Sequence, residues 1–233
     1  MRLLLFVLFI SLTSVGIAKS KKKPKKHVRT PVEQAAKSYM EDSGNRPAVY
    51  HYFDLPAQSL QLAAKFLPEN PVIVEAGAFD GKESCTMAEH WPKGHVHCFE
   101  PVQMLFETVK MRTSSISNIS AYPLALGDYI GERVMYLSNE TKDPHQCSMS
   151  SSLYPPKDHL HYSATEFKGY EIVEVTTLDE WAKKYEIPKV DMLWLDMQGG
   201  ELAALKAASN LLKNVSVILT ELEFVEAYDG IFR

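Results

Sequence analysis

Val72-Ile73-Val74-Glu75-Ala76-Gly77-Ala78-Phe79-Asp80-Gly81 is a short apolar run that ends in an acid and then in a glycine-containing turn. The amphipathic segment near 82–91 follows it, so the stretch reads as a buried strand, a tight turn and a helix. The same unit recurs outward along the chain. Val96–Phe99, Ile119–Ala125, Met192–Leu195 and Val215–Leu219 read as strands, and the segments near 101–113, 178–186 and 200–212 read as helices. Runs that are apolar on both faces suit parallel strands covered by helices, and this alternation predicts a doubly wound, mostly parallel α/β sheet.

Other segments frame this unit. A helix is predicted from Pro56 to Phe66, with Leu60, Ala63, Ala64 and Leu67 at helical spacing and Pro68 as its stop. Thr30-Pro31-Val32-Glu33 is a capping box with proline at the first helical position, so a helix to about Glu41 opens the folded region near residue 30. Two further strand-like stretches, Arg133–Leu137 and Glu171–Val175, bracket a polar loop over 138–168. An excursion of that length reads as a lid over a site or as a surface loop.

Composition limits the function classes. The 233 residues are 45% hydrophobic and 23% charged, an ordinary globular balance that excludes a disordered chain and a polytopic membrane protein. The net charge of −4 hides an asymmetry. Residues 19–29 carry seven positive charges and no acid; without these and Arg2, seventeen positives face 29 acids, leaving residues 30–233 at −12. Phosphate backbones bind basic surface, so no nucleic-acid partner is expected for the domain. Cys85, Cys98 and Cys147 are too few for a disulfide framework, and no Cys-x-x-Cys pair points to a metal.

Leu3 to Ala18 is uncharged and ends in small residues, as a secretory signal does, but six lysines stand within eight residues of Ala18 and resist translocation. Sixteen residues at ~1.5 Å each fall short of a ~30 Å hydrocarbon core. Two readings stand: a cleaved signal that leads to export, or an anchor holding the domain at the cytosolic face of a membrane. The expected organisation is 1–18 signal or anchor, 19–29 basic linker touching anionic membrane surface, and 30–233 domain.

Three strand ends carry the chemistry. Ligands of open α/β sheets bind beyond the carboxyl ends of the strands, where Gly77 and Gly81 shape the first turn. Phe79 breaks the Gly-x-Gly-x-x-Gly dinucleotide fingerprint, which disfavours a nicotinamide oxidoreductase. Glu75 at a buried strand end calls for a compensating cation or donor, unless it only caps the next helix. Phe99-Glu100-Pro101 places a second acid twenty-five residues on, suited to accepting both hydroxyls of a ribose or, alternatively, to a helix dipole. Asp196, in Asp196-Met197-Gln198-Gly199-Gly200-Glu201, follows another apolar run into the same crevice, or N-caps the helix behind it.

Together with Ala125-Leu126-Gly127-Asp128 and Thr177-Leu178-Asp179, these segments, in this order, resemble the FkbM-type methyltransferases over about residues 70–228. The resemblance implies a class I methyltransferase, Rossmann-like fold and S-adenosylmethionine as cofactor. It implies that Glu75, Gly77, Phe79 and Gly81 line the methionine and ribose part of that cofactor, and that Glu100 takes the ribose hydroxyls. It also implies that Leu126, Gly127 and Asp128 lie near the adenine, and that Asp196 and Gln198 face the transferred methyl. Trp194 and Gln198 depart from the lysine and glutamate of many relatives.

The expected activity is O-methylation of a sugar or small-metabolite hydroxyl, which needs a general base. Asp196 and the loop histidines His145, His159 and His161 are the candidates for catalysis. The serines around Cys147 could donate hydrogen bonds to ligand. A silent scaffold that keeps a nucleoside cleft is the alternative reading. The family's fold normally continues past the fifth strand into an antiparallel pair, so the apolar Val215–Leu222 edge is expected to be left open to a second copy of the chain or filled by a rearranged segment.

Overall fold

A computed structural model describes residues 5–9, 55–139, 149–162, 165–221 and 226–231. The expected helix from Thr30, the basic linker, His145 and Cys147 lie outside these residues, and of His161 only the backbone is described.

The large sheet is parallel throughout. Its strands are β1 (Leu5–Phe9), β2 (Val72–Ala76), β3 (His95–Phe99), β4 (Ile119–Tyr122), β8 (Met192–Leu195) and β9 (Val217–Glu221), in the order β1-β9-β8-β2-β3-β4. The chain runs outward from β2 through β3 to β4, then returns to the other side of β2 for β8 and β9. That reversal puts a topological switch point between β2 and β8, where the loops part and leave a crevice. The crossover helices are α1 (Leu55–Ala63), α2 (Lys82–His90), α3 (Gln103–Thr113), α5 (Leu178–Lys184) and α6 (Glu201–Lys206), with a short α4 (His159–Tyr162) between.

Both faces of the sheet are covered, as unbroken apolar strands require. Val74, Phe99, Tyr122, Leu193 and Ile218 pack on one side against Leu178 and Trp181 of α5. Ile73, Val96, Met192 and Leu219 pack on the other against Leu60 of α1 and Met87 of α2. Neighbouring residues of one strand thus serve opposite cores, the two-residue period of extended chain. Thr177 caps α5 by accepting from Glu180 N–H at 3.2 Å.

A second sheet stands at the carboxyl end of the first. β5 (Ala125–Leu126), β6 (Gly131–Asn139) and β7 (Glu166–Thr176) lie in the order β5-β7-β6, with β6 antiparallel to β7. The stretch Ile119–Ala125, expected as one strand, therefore divides between two sheets. Pro123, between them, has no N–H to donate to a ladder. The polar excursion after β6 returns to it through paired backbone bonds between Tyr136 and Ser152, and Ser151 and Leu153 come back over the crevice.

At the other edge, β9 is paired on both sides, with β8 and with Leu5–Phe9. Of the two expectations for this edge, an opening to a second copy or a rearranged segment, the described residues show the second: an apolar segment from the start of the chain fills the place. Among the described residues no helix is long and apolar enough to cross a membrane.

Candidate functional site

A cleft of about 390 Å³ opens at the carboxyl ends of β3, β2, β8 and β9. Glu75, Glu100 and Asp196, three acids far apart in sequence, all line it. So do Gly77, Phe79, Leu126 and Gln198. Gly81, Gly127 and Asp128 do not reach its wall: Gly81 starts α2 at φ +78°, and Gly127 donates to Thr176 O at 2.9 Å where β5 meets β7.

The turn after β2 has the tightest backbone approach. A Cβ on Gly77 would stand 1.8 Å from the Asp196 carbonyl oxygen, and its φ of +86° also favours glycine. Gly77 and Ala78 donate their N–H groups to Phe99 O, and Asp196 donates to Ala76 O, so the three strand ends are tied together. Two non-glycine residues at positive φ flank the cleft, Phe79 at 50° and Gln198 at 53°. Left-handed backbone at such residues is uncommon and is held by surroundings, here at both walls of one cavity.

Each acid has its own environment. Glu75 is 1% exposed and accepts from the Ser84 hydroxyl of α2. Burial raises its pKa to about 8; the Ser84 bond acts against this, and the charges of Glu83, Asp196 and Glu100 add to it. Glu100 accepts from Val102 N–H and Phe79 N–H, both at 2.9 Å, so it shapes the turn that carries Phe79. Burial lifts it to about 7 against those two bonds. Asp196 meets solvent through the cleft but is otherwise ringed by protein, and lost solvation holds it above the usual carboxylate range. Gln198 donates to Asp196 Oδ1 at 2.8 Å. Glu201 does not line the cleft; it accepts from Met197 and Gly199 N–H and secures the turn into α6.

The remaining lining is apolar toward the second sheet. Val102, Leu105, Leu124, Leu126, Met135 and Leu153 form a wall suited to a flat ring. No lysine, arginine or histidine lines the cleft among the described residues. His159 is buried away from it, with its ring 5.4 Å from both Phe167 and Tyr228. Burial lowers its pKa. Among the described residues the cleft's proton-accepting side chains are thus carboxylates.

Sequence reasoning missed Glu221, which lines the cleft at the end of β9, and Tyr228, whose hydroxyl reaches Gln198. Glu221 ends the strand that the apolar run Val215–Leu219 announces, the same signal that singled out Glu75 and Asp196. Tyr228 had no local signal.

The description "Methyltransferase FkbM domain" matches residues 75–231, from the first of these acids to beyond Tyr228. The chain belongs to the FkbM methyltransferase family. The FkbM match takes in all four acidic strand ends. Among relatives, the chain is 27% identical over 171 residues to the 2-O-methyltransferase NoeI of Sinorhizobium fredii (strain NBRC 101917 / NGR234), covering 73% of this chain and 70% of that protein. It is 25% identical over 178 residues to the methyltransferase sdnD of Sordaria araneosa, covering 65% and 67%. Among solved structures, an rRNA methylase from Streptococcus thermophilus aligns at 16% identity and a TM-score of 0.25. That alignment takes in 30% of this chain and 47% of the solved one, so the chain spans less than half of it. A precorrin-6y C5,15-methyltransferase from Geobacter metallireducens aligns at 12% identity and a TM-score of 0.27, over 52% and 86%.

Proposed function

We propose that this FkbM domain transfers a methyl group from S-adenosylmethionine to a hydroxyl of a sugar or small metabolite. The observation that carries the proposal is the convergence of Glu75, Glu100 and Asp196 on one cleft at the sheet's switch point. The donor set fits such a cofactor. Glu75 is buried with no cationic partner among the described residues, and its raised pKa marks a carboxylate that a bound cation would relieve. Glu100, at the next strand end, supplies carboxylate acceptors for vicinal hydroxyls. The apolar wall around Leu124 and Leu126 suits an aromatic base.

When bound, S-adenosylmethionine supplies an electrophilic methyl on a positively charged sulfur. The residues then have three tasks: Glu75 and Asp196 provide negative charge for cationic groups, Glu100 orients, and Phe79, Met149 and Leu153 narrow the access of water. Hydroxyl oxygen as the acceptor atom is supported by NoeI, whose name is that of a 2-O-methyltransferase. A cleft lined by carboxylates, with no cation among the described lining residues, favours an uncharged acceptor over a phosphorylated one.

Isothermal calorimetry of the full chain with S-adenosylmethionine and S-adenosylhomocysteine tests the cofactor. Glu100→Ala is expected to weaken binding by about 1–3 kcal/mol through lost charged hydrogen bonds. Absence of binding by the intact chain would count against the enzyme. Incubation of the protein with methyl-labelled cofactor and a panel of neutral methyl glycosides then tests the acceptor class.

A further inference from the structure

The acids of the cleft lie in the order of their strands. Glu100 follows β3, Glu75 lies in β2, Asp196 follows β8 and Glu221 closes β9. If the Glu100 and Glu75 end takes the nucleoside and methionine parts, the Glu221 end is where an acceptor enters; this step rests on the cofactor reading above.

One amide joins the two acids at that end. Gln198 Nε2 lies 2.8 Å from Asp196 Oδ1 and 2.9 Å from Glu221 Oε2, so its two N–H bonds serve one carboxylate each. The orientation of the amide is set from behind. The Tyr228 hydroxyl, with one proton to give, lies 2.9 Å from Gln198 Oε1 and 2.9 Å from Ser150 O and donates to one or the other. Tyr228 is itself fully buried. The Gln198 backbone is fixed too: its carbonyl accepts from the Ser152 hydroxyl at 2.7 Å, and its φ is 53°. A residue held in uncommon backbone geometry by contacts from two other segments is held for its side chain's position.

We infer that Gln198 is a positioning residue that clamps Asp196 and Glu221 into one proton-accepting pair, and that Glu221 takes the proton of the acceptor hydroxyl. The acceptor oxygen forms the new C–O bond as the methyl's C–S bond breaks. The electron pair of that bond stays on sulfur, and the hydroxyl proton passes to the Glu221 carboxylate. The groups facing the pair are Glu75 and Gln198 within the cleft, Glu201 at the start of α6, and the Tyr228 hydroxyl. Lost solvation raises the proton affinity of Asp196, and its contacts with the Gln198 amide and Glu221 oppose this. Without the amide, the repulsion between two adjacent carboxylates would lack its N–H compensation and would favour the protonated form, which is no base. Glutamine does what glutamate at 198 could not, since an ionised carboxylate has no N–H to give.

The test uses the full chain, labelled with ¹³C at Asp and Glu carboxyls and titrated by NMR with and without S-adenosylhomocysteine. The variants are Glu221→Gln, Gln198→Leu and Gln198→Glu. In the wild type Asp196 and Glu221 should titrate as a coupled pair. Glu221→Gln should reduce Asp196 to a single step, and Gln198→Leu should shift the pair upward by ~1 unit. Glu221→Gln should bind S-adenosylhomocysteine within about threefold of wild type and lose about 10²–10⁴-fold in transfer to the methylated glycoside, with the acid limb of its pH profile removed. Asp196 titrating unchanged in Glu221→Gln overturns the pairing. Unchanged transfer rate in that variant, or no transfer to any glycoside by wild type that binds the cofactor product, overturns the proton-transfer role. Failure of the wild type to bind S-adenosylhomocysteine removes the cofactor reading instead, while the ligand-free titration still decides the pairing.

Discussion

At the residue scale, burial decides what the acids of the cleft can do. Glu75 is enclosed with a hydroxyl donor and no cation among the described residues, and burial holds its proton to about pH 8. A cation arriving beside it favours the ionised form, lowers its pKa and releases the proton. Cofactor binding at pH 7 should therefore release protons, and affinity should rise between about pH 6 and 8; calorimetry in two buffers of different ionisation enthalpy reads both. Gly77 is the second decisive residue. Gly77→Ala would drive a methyl to 1.8 Å from the Asp196 carbonyl oxygen, a backbone atom. It should cost on the order of 3 kcal/mol or more in a denaturant titration, because neither strand end can yield without parting β2 from β8.

At the element scale, the strands that bury both faces are those whose residues announce them. Val72–Ala76 and Met192–Leu195 end where their apolar runs end, at Glu75-Ala76 and before Asp196. Ile119–Ala125 reads as one strand because apolar pattern is blind to which sheet a residue joins. β1 is the element whose pairing the sequence does not announce: Leu5–Phe9, part of the apolar stretch read as a signal or anchor, pairs in parallel with Val217–Glu221. An apolar run of this length fits a lipid interior or a sheet edge equally well. Removing residues 1–9 should expose the ladder groups of β9, lower the melting temperature and promote self-association, measured by light scattering against concentration.

At the scale of the whole molecule, the buried acids set how stability responds to pH. Glu75, Glu100 and Glu201 have pKa values near 8, 7 and 7 in the fold, against a usual 4.5. Each keeps its proton longer folded than unfolded, so each favours the fold at low pH and loses that contribution as pH rises through the folded value. His97 works in the opposite direction. Burial lowers it to about 4, so it opposes folding below its usual 6.5 and has no effect above. Between about pH 6.5 and 8 the acids act alone, and the melting temperature of the ligand-free chain should fall across that window. A saturating cofactor whose positive charge keeps Glu75 ionised should flatten the decline, which a thermal-shift series checks. A melting temperature that rises from pH 6.5 to 8 would contradict the buried acids' titration.

The chain's own pattern determined the parallel sheet, the glycine turn and the acids at three strand ends, because burial on two faces and a turn at a strand end leave local marks within a few residues. The apolar period shows where a strand stops and therefore which acid stands at its mouth. What tertiary structure alone decided is adjacency. Glu221 faces Asp196 because β9 lies beside β8, the Gln198 amide joins them because a distant segment brings Tyr228 up behind it, and His159 is turned into a pocket of aromatic rings rather than toward the cleft. Such pairings are chosen by packing between segments far apart in the chain, and no stretch of a few residues carries that information.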